Sequence, residues 1–401
     1  MIRVYYLHVE ISTLCNAACP CCPRFNQNSP LIGPGLQPGY ITIDLFKEWF
    51  PPEIVSKTQY INFCGNHGDP GTNPDLPKII EYLSQFKNIK KFQFHTNGGM
   101  KTHKFWKEVA LACNKCEFPV NPVFSIDGLK DTNHIYRRNV KWDKLIDNLK
   151  GFLSVINEKT WTVVDYLVFK HNEHQIAEAE KLFKDLGIND VLFKAPINLD
   201  DGESITPIPS LGTDGSVLYW IYPTDIAKFK PSYLAENAAT KYPEKTLLDI
   251  DKSADGYQWG DQEYKEVENS SKSKIIPRCG NNDLYVEADG EVHQCCFVAT
   301  GYYNIRELYM KGKNIGPAAK QLLDYKKKIG FEKFNLQHTS LKEILDSKLL
   351  YKMYNANWDK TYEEGKMLHC VEFCGSKNSI DTVYEVNKEK DISSRTTNVP
   401  I

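Results

Sequence analysis

Hydrophobic and polar positions in the first half of the chain follow two alternating periods. Short apolar runs rich in Val, Ile, Phe and Tyr occupy residues 4–11, 59–64, 91–95, 118–126, 161–169 and 190–194, as expected of buried strands. Between them, residues 43–50, 76–86, 102–112, 142–156 and 176–186 carry helical patterns, with apolar side chains recurring three and four apart. Thr42 or Asp44 suits the cap of the first helix, and Gly187 the end of the last. Six strands separated by helices predict an α/β fold with a parallel sheet and right-handed crossovers, expected to curl into a partial (β/α)6 barrel of the TIM type. Ligands in such sheets sit at the carboxyl ends of the strands, so chemistry is expected in the loops that leave them.

The pattern changes after residue 200. Residues 1–200 read as the barrel. Residues 201–275, with Gly, Pro, Ser and Asp dominant at 200–216 and Lys and Glu frequent near 263–274, read as a connecting region with little regular structure that partly covers the barrel mouth. Residues 276–380 read as a small cysteine-rich domain, and 381–401 as a polar tail. A lysine-rich helical pattern at 317–328 is expected to be a solvated face.

Composition narrows the function. Hydrophobic residues make up 41% and charged residues 25% of the 401, an ordinary balance for a soluble globular protein. A formal net charge of −2 argues against a broad basic surface for nucleic acid. No apolar run approaches the roughly 18 residues of a membrane span, and the chain opens straight into a strand-like run rather than a signal peptide. Twelve cysteines in that context point to reduced, metal-ligating thiols in the cytoplasm rather than disulfides.

Three of those cysteines, Cys15, Cys19 and Cys22, stand in C-x3-C-x2-C spacing just after the first predicted strand. At this cysteine content, the spacing would arise by chance on the order of 0.01 times in the chain. Three thiolates can hold three irons of a four-iron cluster and leave the fourth open; zinc or buried thiols are the competing readings. The other strand ends carry further motifs. Gly65-Asn66-His67-Gly68-Asp69-Pro70 follows the second strand, Thr96-Asn97-Gly98 the third, and Ser125-Ile126-Asp127-Gly128 the fourth, with Arg137 and Arg138 beyond. Singly, each of these is no more than a turn. Their order is informative.

Residues 4 to about 195 resemble the radical S-adenosylmethionine (radical SAM) superfamily. The resemblance implies a four-iron, four-sulfur cluster on Cys15, Cys19 and Cys22 whose open iron chelates SAM. It implies that Gly68, Asp69 and Pro70 form the loop for the SAM ammonium, with Asn97 in the neighbouring turn. Ser125 would lie at the ribose, with Asp127 beside it among the cofactor-binding residues, Arg137 or Arg138 at the carboxylate, and Leu167 and Phe169 beside the adenine. The chain departs from the family pattern at three places: Cys21 stands where an aromatic residue is usual, His67 where glycine is, and Asp69 where glutamate is.

A second set, Cys279, Gly290, Cys295, Cys370 and Cys374, resembles the SPASM extension or its shorter twitch form. It implies one auxiliary four-iron, four-sulfur cluster on the four cysteines, with Cys296 as an alternative to Cys295 and structural zinc as the competitor. Asp289-Gly290 reads as a hairpin turn. Cys113, Cys116 and Cys64 read as packing thiols. The resemblance implies hydrogen abstraction from a substrate C–H bond by a 5′-deoxyadenosyl radical, with an electron donor such as flavodoxin or ferredoxin. A peptide or protein side chain is the favoured substrate, then a small carbohydrate-like molecule, then nucleic acid. The reading from another class is a non-catalytic, metal-stapled binding protein. No residue is singled out as the catalytic base.

Overall fold

In a computed structural model, the structure describes residues 4–20, 22–25, 32–33, 35–64, 66–196, 207–229, 283–299, 302–361, 364–368 and 370. Alternation along the strands builds its two layers. Strands β1 (Tyr6–Val9), β2 (Tyr60–Phe63), β3 (Lys91–Thr96), β4 (Val120–Ser125), β5 (Val163–Leu167) and β6 (Asp190–Lys194) pair in sequence order, all parallel. The connecting helices are α1 (Ile43–Trp49), α2 (Pro52–Val55), α3 (Leu76–Leu83), α4 (His103–Cys113), α5 (Asn133–Tyr136), α6 (Trp142–Leu153) and α7 (Ile176–Asp185). The strand centres and long helices lie where the periodicity places them, and the fold is the expected α/β partial barrel. Thr42 caps α1 by accepting from the Leu45 amide.

One strand face is apolar and meets the helices. Phe63 packs against Phe46 of α1, and Phe124 against Trp106 of α4 and Phe152 of α6, with ring centroids 5.5–5.9 Å apart. The opposite face is polar. His8, Asn62, Gln93 and Asn121 fall in one cross-strand row, and Lys194 pairs with Asp165 at 2.8 Å further round. Period two thus sorts the greasy side chains outward under the helices and leaves a polar interior.

Two hairpins complete the sheet system. Regular structure appears inside the region expected to have little: β7 (Ile208–Leu211) and β8 (Val217–Ile221) pair antiparallel. The turn between them is held by Asp214, whose carboxylate accepts from the Ser216 amide, and by Gly215 at φ +80°. This hairpin is tied to the barrel's carboxyl end by Arg138 Nη1 donating to the Leu211 carbonyl (2.7 Å) and Tyr219 Oη donating to the Ile135 carbonyl (2.8 Å). The second hairpin, β9 (Asp283–Val286) and β10 (Val292–His293), turns at Asp289-Gly290 as the sequence suggests. It joins the barrel sheet itself: β9 lies parallel to β1, giving the order β10-β9-β1-β2-β3-β4-β5-β6. Helices Tyr302–Met310, Pro317–Ile329, Leu341–Asp346 and Leu349–Met353 follow it. Most lysines of Pro317–Ile329 are solvated, but Lys326 is fully buried against Glu291 at 2.5 Å.

Candidate active site

The loop leaving β1 is folded back on itself by Arg24, which donates to the carbonyls of Thr13 (3.0 Å) and Cys15 (3.1 Å). It thereby presents Cys15, Cys19 and Cys22 at the carboxyl end of the barrel. Nitrogen donors approach two of the sulfurs. The Ala17 amide and Asn97 Nδ2 lie 3.4 and 3.6 Å from Cys15 Sγ, and Arg137 Nη1 lies 3.7 Å from Cys19 Sγ. Burial pushes all three thiols up, Cys22 to about 12, with Asp69 adding to the effect at Cys15, Asp127 at Cys19 and the Cys19 thiol at Cys22. A metal must therefore displace protons on binding.

The spacing of the three sulfurs tests what they fit. Ligands of one tetrahedral zinc lie roughly 3.8 Å apart, from a Zn–S bond of about 2.3 Å. Among the described residues, the one group of His, Cys, Asp or Glu ligand atoms all within 4.8 Å of one another is Glu10, His67 and Glu287. The sulfurs of Cys15, Cys19 and Cys22 do not all lie within that distance of one another, a spread that the separate corners of a cluster accommodate.

The loop after β2 is sewn to the cysteine loop. Gly68 passes so close to β1's exit that a Cβ would sit 2.0 Å from the Ser12 carbonyl oxygen, so only glycine fits. Asp69, almost fully buried, donates its amide to the Leu14 carbonyl at 2.8 Å. Its carboxylate accepts from Gly71 N (2.8 Å), Thr96 Oγ1 (2.7 Å) and Asn97 N (2.7 Å). Burial pushes this acid up, and the three donors oppose the shift. Asp69 thus braces the β2 and β3 loops against each other, while Pro70 opens the turn Pro70–Thr72. Asn97 links the other way, donating to Asn16 Oδ1 at 2.9 Å.

Beyond β4, Asp127 is fully buried and accepts from Arg137 Nε and from the Leu167 amide (2.7 Å). Arg137 thus joins Asp127 to Cys19, whereas Arg138 holds the β7–β8 hairpin. Ser125 is half-buried at the end of β4. Leu167 is half-buried, and Phe169 is fully buried against Tyr136 (4.7 Å) and His171 (5.3 Å), a packing position.

Of the second cysteine set, Cys279 and Cys374 lie outside the described residues, as do Cys21 and Gly65. Cys295 and Cys296 are half-buried just after β10, and Cys370 is buried. Asn66 Nδ2 donates to the Cys296 carbonyl at 3.4 Å, which places this segment beside the β2 loop. Cys113 and Cys116 are buried in the helix layer, and burial pushes both thiols up.

Sequence reasoning missed Glu10, the fully buried acid between β1 and the cysteine loop. It accepts from the amides of Asn66, His67 and Gly68 (3.0–3.1 Å) and from Tyr285 Oη (2.6 Å). Burial pushes it up to about 7. The signal was present: a charged residue on the inward-facing positions His8 and Glu10 of an otherwise apolar run.

The structure places these loops at the carboxyl ends of successive parallel strands of an α/β sheet. No family model matches the chain, and no curated protein does. Solved structures that it is similar to include SuiB from Streptococcus suis, at 16% identity and TM-score 0.42 over 74% of this chain and 62% of SuiB. The SuiB complex with the precursor peptide SuiA gives 14% and 0.43 over 92% of this chain and 71% of that one. BtrN in complex with AdoMet and 2-DOIA gives 14% and 0.27 over 41% and 58%. In the first of these alignments the chain spans less than two thirds of SuiB's length. Identities this low, at TM-scores under 0.5, leave the functional reading to the residues themselves.

Proposed function

We propose that this chain is a radical SAM enzyme that acts on a C–H bond of a polar substrate, most naturally a peptide or protein side chain. The observation that carries the reading is the cysteine loop: Cys15, Cys19 and Cys22 together at the carboxyl end of β1, two of their sulfurs met by N–H donors. A four-iron cluster held by Cys15, Cys19 and Cys22, with SAM, would supply a 5′-deoxyadenosyl radical that takes a hydrogen atom from the substrate.

The chain's own residues supply the setting. N–H donors at the sulfurs favour thiolates and tune a cluster's potential. Asp69, locked by three hydrogen bonds, holds the β2 and β3 loops where a SAM ammonium would approach. The Arg137 guanidinium reaches Cys19 Sγ while that of Arg138 is engaged at the Leu211 carbonyl, so Arg137 is the better partner for the SAM carboxylate. Cys295 or Cys296 with Cys279, Cys370 and Cys374 would hold the auxiliary cluster. The polar row His8, Asn62, Gln93 and Asn121 favours a substrate with hydrogen-bonding groups, which also suits the second reading, a small carbohydrate-like molecule. No described helix is long and apolar enough to cross a membrane. Free thiols suit a reducing cytoplasm with a flavodoxin or ferredoxin as electron donor.

The test is anaerobic purification. About eight irons per chain, and 5′-deoxyadenosine formed on reduction with SAM, are expected, with Cys15→Ala abolishing cleavage. Zinc without iron, or no cleavage by fully reconstituted protein, overturns the reading. Deuterium passing from labelled peptide or sugar into 5′-deoxyadenosine separates the two substrate classes.

A further inference from the structure

Outside the cysteine loop, an unusual concentration of buried ionisable groups lies where β1, β9 and the β2 loop meet. Glu10 and His67 are 1% and 2% exposed, and Glu287 is fully buried. All three present ligand atoms within 4.8 Å of one another. His67 Nδ1 lies 3.4 Å from Glu287 Oε2. That is longer than the 2.7–3.2 Å of a typical hydrogen bond, and neither His67 ring nitrogen nor either Glu287 oxygen makes a hydrogen bond of good geometry. It matches the roughly 3.0–3.5 Å between neighbouring ligands on an ion with bonds near 2.1 Å. Leaving an imidazole and a carboxylate buried without well-formed hydrogen bonds is costly, and His67 and Glu287 are two such groups converging on the oriented carboxylate of Glu10.

The surrounding charge favours a cation. Burial pushes Glu287 well up, and the neighbouring Asp289 and Glu291 carboxylates add to it. The buried ammonium of Lys326 is engaged by Glu291. Glu10 is aimed rather than free: three backbone amides orient it, and its fourth bond, from Tyr285 Oη, is the one a metal could replace at Oε2. We propose that Glu10, His67 and Glu287 form a mononuclear divalent metal site, with no cysteine among its ligands, that staples the β2 loop to the β9–β10 hairpin. One imidazole and two carboxylates are a donor set for Mn2+, Fe2+ or Zn2+. The site needs no radical chemistry, so it stands or falls independently of the enzymatic reading.

The probe is Mn2+, a hard ion that prefers oxygen and nitrogen to thiolate. It would be titrated into the anaerobic, cluster-loaded protein and followed by the loss of free-Mn2+ electron paramagnetic resonance. One saturable site per chain is expected, with a rise in Tm on saturation. Glu287→Gln and His67→Gln should weaken binding at least tenfold while iron content and circular dichroism hold. Tyr285→Phe, which removes only the competing hydroxyl, should bind as tightly or more so. Absence of saturable binding and of any Tm rise in the unaltered protein overturns the proposal, as does unchanged affinity in a folded Glu287→Gln variant. If both ligand variants fail to fold, the unaltered protein's titration decides.

Discussion

Asp127 shows how much one side chain in this site holds. It is fully buried, pairs with Arg137 and caps the Leu167 amide, so removing it leaves a guanidinium and an N–H without acceptors. Asp127→Ala is expected to lower stability by about 3–5 kcal/mol, read by urea unfolding. Histidines set the acid limit. Burial lowers His95 and His171 to about 4, against about 6.5 in the unfolded chain. Below pH 6.5 the unfolded state binds more protons, so stability falls as pH drops from about 6.5 to 4 and rises in the opposite direction. His95→Gln should flatten that slope by on the order of 2–3 kcal/mol, measured as unfolding midpoints across the window. At this scale the sequence was legible where chemistry repeats a spacing. The triplet stood out, but the partners of Asp127 and Glu10 did not, because a carboxylate's bonds to distant backbone amides leave no periodic trace.

Elements were legible in proportion to their local bias. Strand β6 and the starts of α1, α3, α6 and α7 lie where the apolar pattern puts them. The predicted strands overran by one or two residues at most ends, since buried apolar residues such as Ile11 and Ile126 continue past the last paired residue into the loops. The β7–β8 hairpin escaped notice because its strands are short and interrupted by Pro209, and its faces are partly exposed. The β9–β10 turn was legible from Asp289-Gly290, and its geometry is demanding. Gly290 has φ +88°, and a Cβ there would lie 3.0 Å from Asn335 Oδ1 and 3.1 Å from the Trp49 ring. Gly290→Ala is expected to cost about 1–2 kcal/mol from backbone strain alone, visible as a lower Tm.

For the molecule as a whole, the sequence divides into a barrel and a cysteine-rich unit, yet the sheet runs through both. Strand β9 covers the edge of β1, and Tyr285 packs on His8 at 4.6 Å while bonding Glu10. Such pairing between segments far apart in the chain is set by tertiary register, to which local pattern is blind. A chain ended at residue 229 should therefore expose an unpaired β1 edge and uncover Glu10. Such an edge recruits other chains, so gel filtration should find the truncated protein aggregated; a soluble monomer that still loads iron on Cys15, Cys19 and Cys22 would refute this view.

The same pairing has a consequence for biosynthesis. Val9 and Val286 are register partners 277 positions apart. At roughly 5–20 residues per second, a ribosome needs on the order of tens of seconds to make β9 after β1 has emerged. Throughout that interval the nascent chain carries the β1 edge without its neighbour, and the cysteine loop hangs from a strand paired on one side alone. For that interval the exposed β1 edge is open to pairing with other chains.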